Sequence, residues 1–192
     1  MQLLLIFISA ALVNNFVLAR FLGICPFLGV SKKLDSALGM GMAVIFVMVL
    51  ATAVTWPLYI FVLTPLNLTF LQTITFILVI ASLVQLVEMI LKKYIPTLYK
   101  ALGIYLPLIT TNCAILGLAI DTLLKEYSIG ASLIYAIGAG IGFTLALIIM
   151  AGIRERLEVA DTPKPFKGTP IALITASLLS MAFMGFSALV KV

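Results

Sequence analysis

Histidine is absent from this sequence, and with it go the commonest metal ligand and the commonest general base. Cysteine is nearly absent. Cys25 and Cys113 are the only two, and without histidine they cannot complete a four-ligand metal site unaided. Charge is scarce as well: 10% of the 192 residues are Asp, Glu, Lys or Arg, against about a quarter in an ordinary soluble domain. With 64% hydrophobic residues and a mean hydropathy of +1.28, a water-soluble fold of this length could not hide its apolar surface. An integral membrane protein is the consequence. The net charge of +5 sits in short loops, so it bears on topology and not on nucleic acid. There is no phosphate loop, flavin-attachment motif, cysteine-rich ferredoxin run or lipid-anchor motif. The opening stretch "MQLLLIFISAALVNNFVLARF" lacks a basic leader and a small-residue cleavage site, which makes it a retained first span and not a signal peptide.

What is present is a succession of apolar runs. They predict an all-α membrane protein with six transmembrane helices, at about 2–23, 37–63, 70–91, 101–120, 131–152 and 169–190. Trp56-Pro57 should kink, tilt or end the second helix early. The longest polar segment, Arg154 to Lys167, is expected as a loop with two prolines. Loops after spans one, three and five carry nine basic residues: Lys32, Lys33, Lys92, Lys93, Lys100, Arg154, Arg156, Lys164 and Lys167. The opposite side, with both termini, carries two, Lys125 and Lys191. The positive-inside rule then puts the basic loops in the cytoplasm and both termini outside. Arg20, near the end of span one, is expected to snorkel toward the basic side.

The two cysteine segments resemble each other. "CPFLGV" begins at Cys25 and "CAILGL" at Cys113, offset by 88 residues, close to half the chain. One lies in span one and the other in span four, so each half (about 1–95 and 96–192) holds three spans. An odd number inverts the second half relative to the first, as in inverted-repeat transporters. An uninterrupted helix would leave Cys25 near the cytoplasmic face, whereas interrupted first and fourth helices would bring both cysteines toward mid-depth. Gly23, Pro26 and Gly29 favour interruption in the first, and Thr110, Thr111 and Asn112 in the fourth.

The residues alone leave the cysteines open to three readings: small buried hydrophobes, a disulfide, or paired thiolate ligands to a metal whose remaining ligands a partner supplies. Among the other polar groups, Asn14 and Asn15 read as helix-bridging residues. Glu88 reads as a helix-face partner of Lys92 or, less simply, a contact for a passing cation. "GAGIG" (Gly138 to Gly142) reads as a close helix-packing stripe.

Three segments carry a family resemblance that spans essentially the whole chain. "LVNNFVLARFLGICPFLGVSKKLDSALGMG" (from Leu12), "LGIYLPLITTNCAILG" (from Leu102) and the stretch from "IRERLEVADTPKPFKG" (from Ile153) to the end resemble the A subunits of bacterial Rnf ion-translocating electron-transport complexes. The chain is similar, less closely, to the E subunit of the sodium-translocating NADH:quinone reductase. The resemblance implies one component, inactive alone, of a ferredoxin:NAD⁺ oxidoreductase that moves Na⁺ or H⁺ across the bacterial cytoplasmic (inner) membrane. It implies a paralogous E subunit that shares a [2Fe–2S] cluster, with Cys25 and Cys113 as this chain's ligands, and B, C, D and G subunits that carry the other centres. On that reading Gly23, Gly29 and Gly117 let the backbone approach the cluster, and Thr111 and Asn112 supply hydrogen bonds around it. Coupling would require the halves to adopt two packings that respond differently to the added electron. The rival readings are a stand-alone inverted-repeat secondary transporter, disfavoured by the few charges in the spans, and a scaffold with inert cysteines.

Overall fold

A backbone that crosses lipid must satisfy its own amides, and this chain does so with helices. The computed structural model describes residues 2–94, 106–160 and 163–189. Helix α1 (Gln2–Ile8) runs into a π-turn, Ser9–Val13. A non-helical excursion follows, then α2 (Ile24–Val30) and α3 (Leu34–Leu58), which passes into a second π-turn at Tyr59–Leu63, two residues after Pro57. Next come α4 (Gln72–Tyr94), α5 (Leu106–Thr110), α6 (Cys113–Leu124), α7 (Ile129–Val159) and α8 (Thr169–Leu189). Among the described residues there is no strand. Four stretches are long and apolar enough to cross a membrane: Leu34–Leu63, Thr69–Tyr94, Pro107–Leu124 and Ile129–Val159. The expected start of the fourth span, with Lys100, and the C-terminal Lys191 lie outside the described residues.

The core forms around α7, which packs antiparallel on α3 and parallel on α1. Glycine makes both contacts close. A Cβ on Gly140 would lie 2.7 Å from Ile45, and one on Gly138 would lie 2.9 Å from the Phe7 carbonyl oxygen. Gly142 is seated against the carbonyl of Ala11. The "GAGIG" stripe is therefore a packing device for two neighbours at once. Phe16, Met40, Met48, Tyr135, Phe143 and Leu147 fill the space between these helices. Large apolar side chains such as Met42, Phe61 and Phe70 stay exposed on the outer faces.

Three sequence expectations need correction. The polar segment from Arg154 is not all loop: α7 continues through Glu158 to Val159. Arg, Glu and Leu are good helix formers. Arg154 also ties this extension down, because its Nη1 donates to the Leu28 carbonyl (2.7 Å) and to Ser31 Oγ (3.0 Å). Second, Pro26 and Gly29 do not interrupt anything. Both lie inside α2, where Pro26 is the third residue. At that depth its missing N–H is one a helix start leaves unpaired anyway. Third, Arg20 does not snorkel to the basic side but is bound within the protein to Asp121.

Candidate functional site

Both cysteines sit at the start of a helix that follows a break. The first break spans the residues between Val13 and Ile24, and Asn15 holds it together. Asn15 is 1% exposed. Its Oδ1 accepts from the Val17 and Leu18 amides (3.0 and 3.3 Å), and its Nδ2 donates to the Gly142 carbonyl (2.7 Å). Ser180 on α8 donates to the Leu18 carbonyl, and the Leu22 amide donates to the Phe16 carbonyl. The freed backbone groups are thus met by protein, as non-helical backbone in lipid demands. Asn14 is more local and donates to Ser9 Oγ (3.1 Å). The excursion also stores strain: Phe21 has φ 58°, in the left-handed region that a bulky residue rarely adopts. Gly23 (φ 80°) ends the break and starts α2, and Cys25 is the second residue of that helix.

The second break is short. Thr111 Oγ1 donates back to the Pro107 carbonyl (3.1 Å), and Asn112 caps α6 by accepting the Ala114 amide on Oδ1 (3.0 Å). Cys113 is the first residue of α6. Thr110, Thr111, Asn112 and Cys113 form one wall of a mostly apolar cleft of about 330 Å³, with Ile77, Ile80 and Ala81 of α4 opposite. Asn112 is 4% exposed, yet its Nδ2 has no acceptor among the described residues. An unpaired buried donor is costly, so each instance asks for an explanation.

The two breaks meet. A Cβ on Gly23 would lie 2.9 Å from Asn112 Oδ1 and 3.2 Å from Ala114. A Cβ on Gly117 would lie 2.6 Å from Leu22, with Phe16 at 3.7 Å. The space over these two glycines is therefore filled by the chain itself. Gly29 is exposed and has only Leu108 nearby, at 3.6 Å from its notional Cβ. Farther along α6, Asp121 takes the Arg20 guanidinium and accepts a hydrogen bond from the Tyr135 hydroxyl (3.1 Å). Lys125 Nζ donates to the same hydroxyl (3.3 Å). Sequence reasoning passed over Asp121. Its signal was nonetheless there: one carboxylate inside "CAILGLAIDTLL", an apolar run, asks for a cationic partner.

Both thiols are free and exposed, so they are neither buried hydrophobes nor a disulfide. Among the described residues no three His, Cys, Asp or Glu side chains converge to hold a metal. Two free, exposed sulfurs are the two ligands that half of a shared cluster site would need from this chain. The residues fit a [2Fe–2S] group only with two further ligands from elsewhere.

A family described as "Rnf-Nqr subunit, membrane protein" matches residues 3–190. The chain belongs to the Rnf-Nqr family. With its long apolar helices it is a multi-pass membrane protein. Among its relatives, the A subunit of the ion-translocating oxidoreductase complex of Syntrophotalea carbinolica is 64% identical, over 98% of each chain. The A subunit of the Na(+)-translocating ferredoxin:NAD(+) oxidoreductase complex of Acetobacterium woodii is 60% identical, over 97% of each. The A subunit of the ion-translocating oxidoreductase complex of Serratia proteamaculans is 57% identical, over 99% of this chain and 98% of that one.

Proposed function

We propose that this chain is the A subunit of a redox-driven ion-translocating complex of the ferredoxin:NAD⁺ oxidoreductase type. In this reading Cys25 and Cys113 provide half the ligands of a [2Fe–2S] cluster inside the membrane, and a paralogous E subunit provides the rest. The carrying observation is that both thiols are free, exposed and in the first turn of helices that begin at breaks. The names of the relatives point the same way. Such a cluster would supply one-electron uptake and release. The chain's own residues do the remainder. The Thr111 hydroxyl proton is taken by the Pro107 carbonyl, so Asn112 Nδ2 is the donor left for the cluster, and exposure of the thiols leaves room for the neighbouring chain to dock.

The finer architecture belongs to the same proposal. Each half offers a broken helix, a long helix and a further helix in the same order, which supports six spans in two inverted repeats. The basic loops would face the cytoplasm of a bacterial cell, with both termini outside the inner membrane. The B, C, D and G subunits would complete the electron path, and Na⁺ or H⁺ would be the ion moved.

The test is the intact complex purified with its partners, in wild-type form and as Cys25→Ser and Cys113→Ser. Iron, acid-labile sulfide and the EPR signal of the reduced complex are measured. Each substitution should remove one [2Fe–2S] equivalent while assembly persists. Unchanged cluster content in either variant would end the proposal.

A further inference from the structure

Outside the cysteines, the most unusual chemistry in the described residues is the charged group around Asp121. Asp121 and Tyr135 are buried between apolar helices while Arg20 and Lys125 stay exposed, and neither the ligation of a cluster nor the packing of α7 calls for the group. Its connections are specific. Arg20 belongs to the excursion that leads into Cys25, whereas Asp121 belongs to the helix that begins at Cys113, 101 residues away in sequence. The guanidinium also lies over the Phe16 ring (5.5 Å), and Phe16 packs edge-on to Tyr135 (6.2 Å). Tyr135 closes the ring of contacts by donating to Asp121, with Lys125 Nζ above its face (4.5 Å).

This is the far end of a three-level clamp. Gly23 meets Asn112, Leu22 and Phe16 meet Gly117, and Arg20 meets Asp121. Cys113, Gly117 and Asp121 are spaced four residues apart on α6, so they follow one inclined stripe of the helix. Asp121 then stands about 12 Å along the axis from Cys113. Between Arg20 and Cys25 the backbone passes through the left-handed residues Phe21 and Gly23. A segment in such conformations keeps its course only where its surroundings over-determine it.

We infer that the Arg20–Asp121 pair, held by Tyr135 and Lys125, is a positioning device that fixes the Cys25 segment against the Cys113 helix and so sets the relative placement of the two sulfurs. The inference rests on the ligation proposed above. The pair touches neither sulfur and acts through the backbone that carries them. Its two members should therefore behave alike when removed. A purely electrostatic influence would behave differently, because loss of a cation and loss of an anion shift a nearby redox centre in opposite directions.

The experiment uses the whole complex carrying Arg20→Gln, Arg20→Lys, Asp121→Asn or the swap Arg20→Asp with Asp121→Arg. Cys113→Ser in parallel defines which EPR signal belongs to this site. Three quantities are read: the rate of iron release to a chelator, the EPR linewidth of the reduced centre and its midpoint potential. R20Q and D121N should each release iron about tenfold faster, the usual scale for loss of an outer support to a metal site. Both should broaden the signal. R20K, which keeps the charge, should recover most of the loss, and the swap should recover part of it. Should D121N or the swap fail to assemble, R20Q against R20K decides alone. Wild-type iron release and linewidth in the single variants, with potentials displaced in opposite directions or not at all, would overturn the inference while the ligation reading stands. A signal that survives C113S would instead remove the ligation reading itself.

Discussion

Asn112 does two jobs with one side chain. Its Oδ1 caps α6, and its Nδ2 is a buried donor with no acceptor among the described residues. Serine is as good an N-cap but carries no amide, so Asn112→Ser separates the two jobs. If Nδ2 donates to a cluster sulfur, the variant will keep its cluster and its midpoint potential will fall. A donor stabilises the more negative, reduced form more than the oxidised one. Redox titration of the purified complex checks this, and an unmoved potential would take Asn112 out of the site. That Thr111 and Asn112 would satisfy backbone groups at the second break was legible in sequence, because short polar residues in an apolar run have few other reasons to be there. Asp121 was equally legible in principle. It went unread because its partner, Arg20, lies in the other half of the chain, and near a span end a lone arginine looks like a snorkelling one.

At the scale of elements, the breaks decide where the cysteines go. Gly23 is the hinge of the first: it combines φ 80° with a notional Cβ 2.8 Å from the Phe143 ring and 2.9 Å from Asn112 Oδ1. Gly23→Ala must both strain the backbone and displace a buried ring, at a cost of about 1–3 kcal/mol. The complex should then melt at lower temperature in detergent and accumulate to lower levels. Gly152→Ala is the matched control. It sits in α7 with nothing within 4 Å of its notional Cβ, and alanine there should be neutral or stabilising by up to about 1 kcal/mol. Equal effects at both positions would mean that the hinge is not strained as described. Sequence reasoning foresaw a break near Cys25 but assigned it to three residues. Only Gly23 contributes, because proline in the first turn of a helix starts it as readily as it stops one elsewhere.

For the whole molecule, the distribution of basic residues makes a directional prediction. A fluorescent protein inserted after Lys167 should mature and fluoresce in the cytoplasm, and alkaline phosphatase fused after Glu126 should be active outside. The opposite pattern would reverse the proposed orientation and, with it, the side from which each broken helix enters.

Composition and run length by themselves determined that this chain lives in a membrane as a bundle of helices. Lipid offers a backbone no hydrogen bonds, and this many apolar residues leave no other solution. The matched cysteine segments likewise marked the two places where a helix is broken. What only the tertiary structure decided is how those places are joined. The seating of Gly23 on Asn112, Leu22 on Gly117 and Arg20 on Asp121 links residues about a hundred positions apart. No local propensity encodes such pairings. They arise because two broken segments, each with polar backbone to satisfy and glycines that permit close approach, find in each other the partner that lipid cannot be.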